Sequence, residues 1–391
     1  MSQRRGRIPP HIVSKQFHHP REDLLLITIL KNVDDPRKPS CNFRHSLVTI
    51  VFISLIGIIC GASDWEQIEQ CAEGMVDWLS NYVDMSEGVP SAHTLKRVMS
   101  LIPTETLSQL LQNLSRSIAG SAGKTVAIDG KTLRGSRKSN GQVLHLLHAW
   151  SVEQGVCLGQ VAVHEKSNEI TALPALIESL ELRDAVVTVD ALHTHKNAAA
   201  LIRGKKADYV FPVKDNQRDL AEDVRLVFHE ADTVGFRGVD SAQSETMEKS
   251  AGRVETRLYA LVDVEDAPFA KDWPGCKTVG RAILERTKDG KTSVETRYYI
   301  SSLGLEISRF SSAVRGHWGV ENGLHWALDV IFDEDKHRFQ DRLGAANLSL
   351  LRKVALAILS EDKTLKCGRA SKQMRAATSA SYREHVLKNC F

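Results

Sequence analysis

One run constrains the fold more than any other. Residues 185–191, AVVTVDA, are apolar but for one threonine until the aspartate is reached. A strand without polar alternation is covered on both faces, which places it in the middle of a sheet with helices on either side. Its neighbours agree. EITALPALIESLEL before it and the stretch at about 195–206 after it read as helices, DYVFPV as a further strand, and QRDLAEDVRLVFHE as a further helix. Upstream, KTVAID, VLHLLHAWSV and VCLGQVAVHEK are strand-like runs separated by glycine-containing turns. Three strands followed by helix–strand–helix–strand–helix predict a mixed α/β sheet.

On either side of this block the period changes. LLLITILKNV, SLVTIVFISLIGIIC, WEQIEQCAEGMVDWLSNYV and TETLSQLLQNLSRSIA have helical spacing, and GVPSAHTLKRVMSL places Pro90 and Ser91 as a helix start. From about 240 to 303 the period returns to two in RVETRLYALVDV, CKTVGRAILER and TSVETRYYISSL, with KDGK as a hairpin turn. EISRFSSAVRGHWGVENGLHWALDV then reads as one long helix interrupted at Gly316 or Gly323, and AANLSLLRKVALAILS as a second. The expected organisation is a basic arm at 1–20, an all-helical region at 21–119 that is a candidate for DNA-end binding, an α/β domain at 120–350 with a β-rich insertion at about 240–303, and a basic helical tail at 351–391.

Charge is unevenly distributed along the chain. The chain carries a formal +3 over 391 residues, which excludes a general polyanion binder. Residues 1–21 nevertheless hold five Arg/Lys and no acid, and 352–391 nine Arg/Lys against three acids. Basic ends around a neutral middle suit a nucleic-acid partner, although such tails are often merely solvated. The seven cysteines, at 41, 60, 71, 157, 276, 367 and 390, form no CxxC pair. They suggest a reducing compartment without a thiolate zinc site. LVTIVFISLIGIICGA at 47–62 is shorter than the roughly 20 residues of a membrane span. It is expected to be a buried core helix of a cytoplasmic, nucleoid-associated protein with no membrane partner. Walker A, dinucleotide and GxSxG motifs are absent from the sequence.

Three acids stand where chemistry could use them. Asp129 ends the strand KTVAID and enters a basic stretch; the bland alternative is a turn whose aspartate offsets local charge. Asp190 ends the apolar strand, where an unpartnered acid costs desolvation. A metal ion would be a partner, and capping of the next helix is the simpler role. Glu321 lies in a helix where His317, Glu321, His325 and Asp329 recur every four residues on one face. That face could bind zinc through His317, Glu321 and His325, could offer Glu321 alone to other metals, or could be a solvated face with Trp318 and Trp326 inward. HExxH is missing, against a zinc peptidase. Three carboxylates suit two Mg²⁺ or Mn²⁺ ions about 3.5–4 Å apart, which activate an attacking oxygen and stabilise a leaving oxygen in phosphoryl transfer. Lys131, Arg134, Lys214, Arg253, Arg257 and Arg315 lie beside these acids or on the strands between them, as a phosphodiester substrate would need.

AIDGKTLRGS, VTVDALHTH, VFPVKDNQ, GRVETR and RGHWGVENGLHWALDVIFDED, in that order, resemble the DDE transposases of the H-repeat-associated insertion-sequence group. DDPRKPSCNFRHSL, LIGIICGASDWEQI and GVPSAHTLKRV resemble the helical region preceding the catalytic domain there. The likeness spans roughly residues 25–391. It implies an RNase H-like catalytic domain with Asp129, Asp190 and Glu321 as the metal-binding catalytic acids. The 131 residues from Asp190 to Glu321 make room for the β insertion. The implied reaction is metal-dependent cleavage at insertion-sequence ends, then attack of the freed 3′-hydroxyl on target DNA. The implied partners are terminal inverted repeats and target DNA, with a homodimer handling two ends.

Arg253, Glu255 and Arg257 match one family motif, and Lys214, Asn216 and Gln217 another; DNA contact is expected of the arginines, Lys214 and Asn216, and of Arg315, His317 and His325. The sequence departs from the pattern at His195, where glutamine is expected. It departs again where related transposases carry a Tyr–Arg–Glu–Lys signature: Val314, His317 and Leu328 occupy the Tyr, Arg and Lys places. The other readings are an inactive or domesticated DNA-binding relative and an RNase H-type nuclease that cuts without joining.

Overall fold

The computed structural model describes residues 24–38, 43–108, 112, 125–163, 169–250 and 252–389. The basic arm, most of TETLSQLLQNLSRSIA, Cys41 and Cys390 lie outside the described residues.

Among the described residues nine strands, numbered in chain order, form one sheet in the order β3-β2-β1-β4-β5-β9-β8-β7-β6. β1 (Thr125–Leu133), β2 (Leu144–Ser151) and β3 (Val156–Val163) form an antiparallel meander. β4 (Val186–Val189) and β5 (Asp208–Val213) run parallel to β1. The apolar run is indeed central. All four residues of β4 are buried, with Val187 and Val189 in one core and Val186 in the core on the opposite face. Helices Glu169–Ser179 and Lys196–Gly204 supply the first core, and Phe310, Ala313 and Val314 of helix Ile307–His317 the second.

The β-rich block continues the same sheet. β9 (Lys291–Ser301) pairs antiparallel with β5, and β8 (Thr278–Lys288), β7 (Arg253–Asp263) and β6 (Ser241–Ser250) follow outward. β6, SAQSETMEKS, escapes a hydrophobic reading because seven of its ten residues are exposed at the sheet edge and none is buried. Polar edge strands discourage unwanted pairing with other chains. Gly280 in β8 lets helix Ile307–His317 lie close: a Cβ there would come within 2.3 Å of the Phe310 ring.

The helical ends of the chain form one body. Leu47–Ile59, started by Ser46 accepting from the Thr49 amide at 3.0 Å, buries every residue but Val48. It shares a core with Arg342–Glu361 and with Tyr382, Val386 and Leu387 of the last helix. The C-terminal stretch is thus helical and packed into the bundle. Four of its cations, Arg352, Lys353, Lys372 and Arg383, are buried. Arg342–Glu361 is long and apolar enough to cross a membrane, but nearly nine-tenths of it is buried within the protein.

Candidate functional site

The sheet topology brings the first two acids together. Ile128 of β1 pairs with Val189 of β4, so Asp129 and Asp190 follow side by side where the parallel pairing ends. Neighbouring strands are about 4.8 Å apart. Asp129 does not end its strand: β1 continues four residues to Leu133, paired only with β2. Its Oδ1 accepts from the Gly130 amide at 2.8 Å, and its Oδ2 lies 3.8 Å from His325 Nδ1. Asp190 Oδ1 accepts from the Ala191 amide at 2.6 Å and lies 3.8 Å from Lys214 Nζ.

Glu321 comes from across the sheet. The long helix is interrupted near both expected glycines: its first part ends at His317, beside Gly316, and a turn of π-helix at Glu321–His325, containing Gly323, precedes helix Trp326–Val330. Such wide turns often mark functional sites. They also divide the four-residue repeat. His317 and Glu321 face an open cleft of about 880 Å³ that Asp129 and Asp190 also line. His325 turns beneath Asp129, against the buried ring of His148 at 6.0 Å. Asp329 accepts two hydrogen bonds from Lys131 Nζ, at 2.7 and 2.9 Å. The zinc trio of His317, Glu321 and His325 is not assembled: among the described residues no three His, Cys, Asp or Glu side chains are gathered closely enough to hold an ion as they stand.

The candidate cations fall into three settings: the cleft, the acid cluster around Asp335, and the strand extension. Lys214 lines the cleft, beside Arg225, Arg286 and Arg297, which sequence reasoning missed. Arg297 stacks over Trp318 at 4.3 Å, and Arg225 pairs with Asp215 at 2.9 Å. The period-two pattern of ETRYY could have revealed Arg297, which shares a strand face with the cleft residue Tyr299. Lys131, by contrast, is buried with its side chain 6% exposed, among Asp329, Asp335 and Glu334. Arg134 is exposed and reaches Asp335 at 3.6 Å. Asn216 and Gln217 donate to the carbonyls of Ala191 and Thr194, both at 3.0 Å. They pin the loop after Asp190. His195 begins the helix that follows.

Arg253, Arg257 and Arg315 lie on one side of the strand extension, engaged by Glu255 and Glu248. His317 shares a hydrogen bond with Thr188 Oγ1 at 3.0 Å, and burial pushes its imidazole down to about 4. Burial also holds His325 at about 4. Both rings are therefore neutral at pH 7.

The donor chemistry suits a hard divalent cation. Asp129, Asp190 and Glu321 are oxygen donors from three separate segments around one cleft, and Lys214 Nζ lies 3.8 Å from Asp190.

Comparison with known proteins gives a consistent result. Residues 14–114 match the family described as DDE_Tnp_1-associated, and residues 120–358 the family described as Transposase DDE domain. The chain is 36% identical to the candidate transposase YncI of Escherichia coli O157:H7, over 89% of this chain and 90% of that one. It is 35% identical to the H repeat-associated candidate transposase YhhI of Escherichia coli K12, over 88% and 93%. Among solved structures, a piggyBac transposase synaptic complex with hairpin DNA superposes with a TM-score of 0.41 at 11% identity, covering 93% of this chain and 81% of that one. That likeness is too loose to place any residue.

Proposed function

Because the chain belongs to the DDE transposase family, we propose that its cleft cleaves phosphodiester bonds at the ends of an insertion sequence and joins the freed ends to target DNA. One observation carries this reading: Asp129, Asp190 and Glu321, far apart in sequence, line a single open cleft ringed by Lys214, Arg225, Arg286 and Arg297. The β3-β2-β1-β4-β5 half of the sheet is read as an RNase H-like core, with β6 to β9 as its insertion.

Asp129, Asp190 and Glu321 would hold divalent metal, two Mg²⁺ or Mn²⁺ ions by the chemistry of the reaction. When bound, such ions activate the attacking oxygen and stabilise the leaving oxygen. The protein's own part is positioning. The β1–β4 pairing fixes two carboxylates side by side. The Asn216 and Gln217 hydrogen bonds hold the loop behind Asp190. Cationic cleft residues orient the DNA strand through its phosphates, and neutral His317 fills the cleft wall without adding a charge.

The test is cleavage and joining of labelled DNA carrying the element's ends, with Mg²⁺ or Mn²⁺, by wild type and by Asp129→Asn, Asp190→Asn and Glu321→Gln. Each substitution is expected to lower the rate by at least about a thousandfold while leaving DNA binding intact. EDTA is expected to abolish the wild-type reaction. A second reading, DNA binding without chemistry, draws on the absence of a gathered three-ligand group among the described residues. Binding by all four proteins with cleavage by none would establish it, and cleavage without joining would identify a nuclease.

A further inference from the structure

The strand extension carries a charge network outside the carboxylate site. Glu255 on β7 has its side chain only 7% exposed, yet three arginines converge on it. Its Oε1 accepts from Arg286 Nε at 2.9 Å and forms an ion pair with Arg253 Nε, also at 2.9 Å, and its Oε2 accepts from Arg257. The sheet register explains the convergence. Arg253, Glu255 and Arg257 alternate onto one face of β7, and Arg286 lies opposite Glu255 on β8. Glu248 lies opposite Glu255 on β6. It accepts from Arg257 at 3.1 Å and forms an ion pair with Arg315 at 2.6 Å, and Arg315 belongs to the helix that leads to Glu321.

The arginines are not equivalent. Arg257 is 13% exposed and divided between two carboxylates, so it ties strands together. Arg253 and Arg286 are 43% and 45% exposed, and each commits its Nε inward. Among the described residues, no ion pair or hydrogen bond engages the Nη atoms of either. Arg286 lines the same cleft as the three acids. Two carboxylates against four guanidiniums leave the face net positive. A guanidinium held by one edge and offering the other is well suited to a phosphate oxygen pair.

We propose that Glu255 is a positioning residue that sets Arg253 and Arg286 as a DNA phosphate-binding pair, and that the Arg257–Glu248–Arg315 chain locks this face onto the Glu321 helix. The inference rests on the transposase reading and extends it to the strand bound alongside the cleft.

Net charge and positioning predict opposite outcomes, which makes the test sharp. Glu255→Gln keeps the shape and removes a negative charge beside the DNA. By charge alone, affinity for DNA rises. By positioning it falls, because the arginines lose their anchor. The experiment measures binding of the full-length protein to a fluorescein-labelled random-sequence 30-base-pair duplex across a salt series, and cleavage of end-bearing DNA at saturating protein. Glu255→Gln is expected to weaken duplex binding roughly tenfold, and Glu255→Asp to recover part of the loss.

Arg253→Gln/Arg286→Gln alters only half-exposed side chains and keeps the test open if Glu255→Gln fails to fold. The double variant is expected to lower the slope of log affinity against log salt by about 0.9 per lost phosphate contact. Unchanged or tighter binding by folded Glu255→Gln, or an unchanged slope in the arginine variant, overturns the inference while wild-type cleavage leaves the parent reading standing. A wild type that neither binds nor cleaves DNA overturns both.

Discussion

Lys131 joins the elements that carry the first and third acids, and replacing it tests whether that joint matters. Lys131 lies two residues beyond Asp129 on the same face of β1, and Asp329 lies eight beyond Glu321, so their two hydrogen bonds tie strand to helix directly behind the cleft. Lys131→Met keeps the aliphatic length and removes the charge. Glu334, whose side chain is fully buried, then loses a cation 4.0 Å away and keeps Arg352 at 3.9 Å. Removing one partner of a buried pair costs about 3–5 kcal/mol. Two features discount that figure. Asp329 is one-third exposed, and burial already pushes its carboxyl upward against the pull of Lys131, so it can take up a proton once the lysine is gone.

The expected loss is therefore near the lower end, about 3 kcal/mol, read as a lower guanidinium midpoint at unchanged slope, pH 7.5. Under conditions where the variant is folded, DNA affinity is expected to stay while cleavage falls by about a hundredfold, the cost of an ångström-scale misplacement. A midpoint shift worth under about 1 kcal/mol, or a cleavage rate equal to wild type, refutes the joint. Loss of DNA binding without loss of stability would return Lys131 to the role of a DNA contact.

The histidines give a pH prediction with a definite sign. Burial holds His317, His325 and His337 near 4 and His148 well below its ordinary value. The unfolded chain thus binds protons first, and stability is full above about 6.5 and lost as pH falls toward 4, by roughly 1 kcal/mol per histidine at pH 5.5. Denaturant midpoints that coincide at pH 7.5 and 5.5 would contradict this. Gly280→Ala drives a methyl into Phe310 and is expected to cost about 1–3 kcal/mol and to slow cleavage more than binding; wild-type stability would show that the helix shifts freely. Arg297→Gln is expected to reduce the salt slope of duplex binding by about one, and an unchanged slope would remove Arg297 from the DNA path.

What the sequence discloses depends on which physical signal each element carries. AVVTVDA discloses a central strand because burial on both faces leaves little room for polar residues, and the structure buries all of β4. LVTIVFISLIGIIC discloses a core helix for the same reason. β6 carries no such signal. An edge strand is specified by its partner's backbone rather than by its own side chains, and SETMEK, inside the β-rich block, is not named as a strand until β7 is placed beside it. Buried cations mislead in the opposite direction. Arg352, Lys353 and Lys372 look like a basic tail because sequence shows charge and not its surroundings; only the bundle reveals that Lys353 donates to Gln160 at 2.9 Å and Lys372 to the Leu359 carbonyl at 3.0 Å.

The candidate site shows where a linear pattern fails. Asp129 and Asp190 are legible as acids beside apolar strands, but their adjacency comes from the parallel pairing of β1 and β4, a long-range fact. The helix carrying Glu321 obeys a four-residue repeat in sequence, which predicts that His317, Glu321, His325 and Asp329 face one way. A π-helical turn adds a residue to the circuit at Glu321–His325 and rotates everything after it. The only local signal for that turn is Gly323, one of the two expected interruptions, which sits in the middle of it. The contacts on either side make sense of it. His317 meets Thr188 on β4, and Asp329 meets Lys131 on β1. The turn lets both ends of the segment reach their partners while Glu321 stays in the cleft between them. Helical periodicity therefore points to an acid that lines the cleft and misassigns its companions: His325 and Asp329 belong to the support behind the cleft, and the cleft cations come from Lys214, from Arg225 on helix Arg218–Thr233 and from strands β8 and β9.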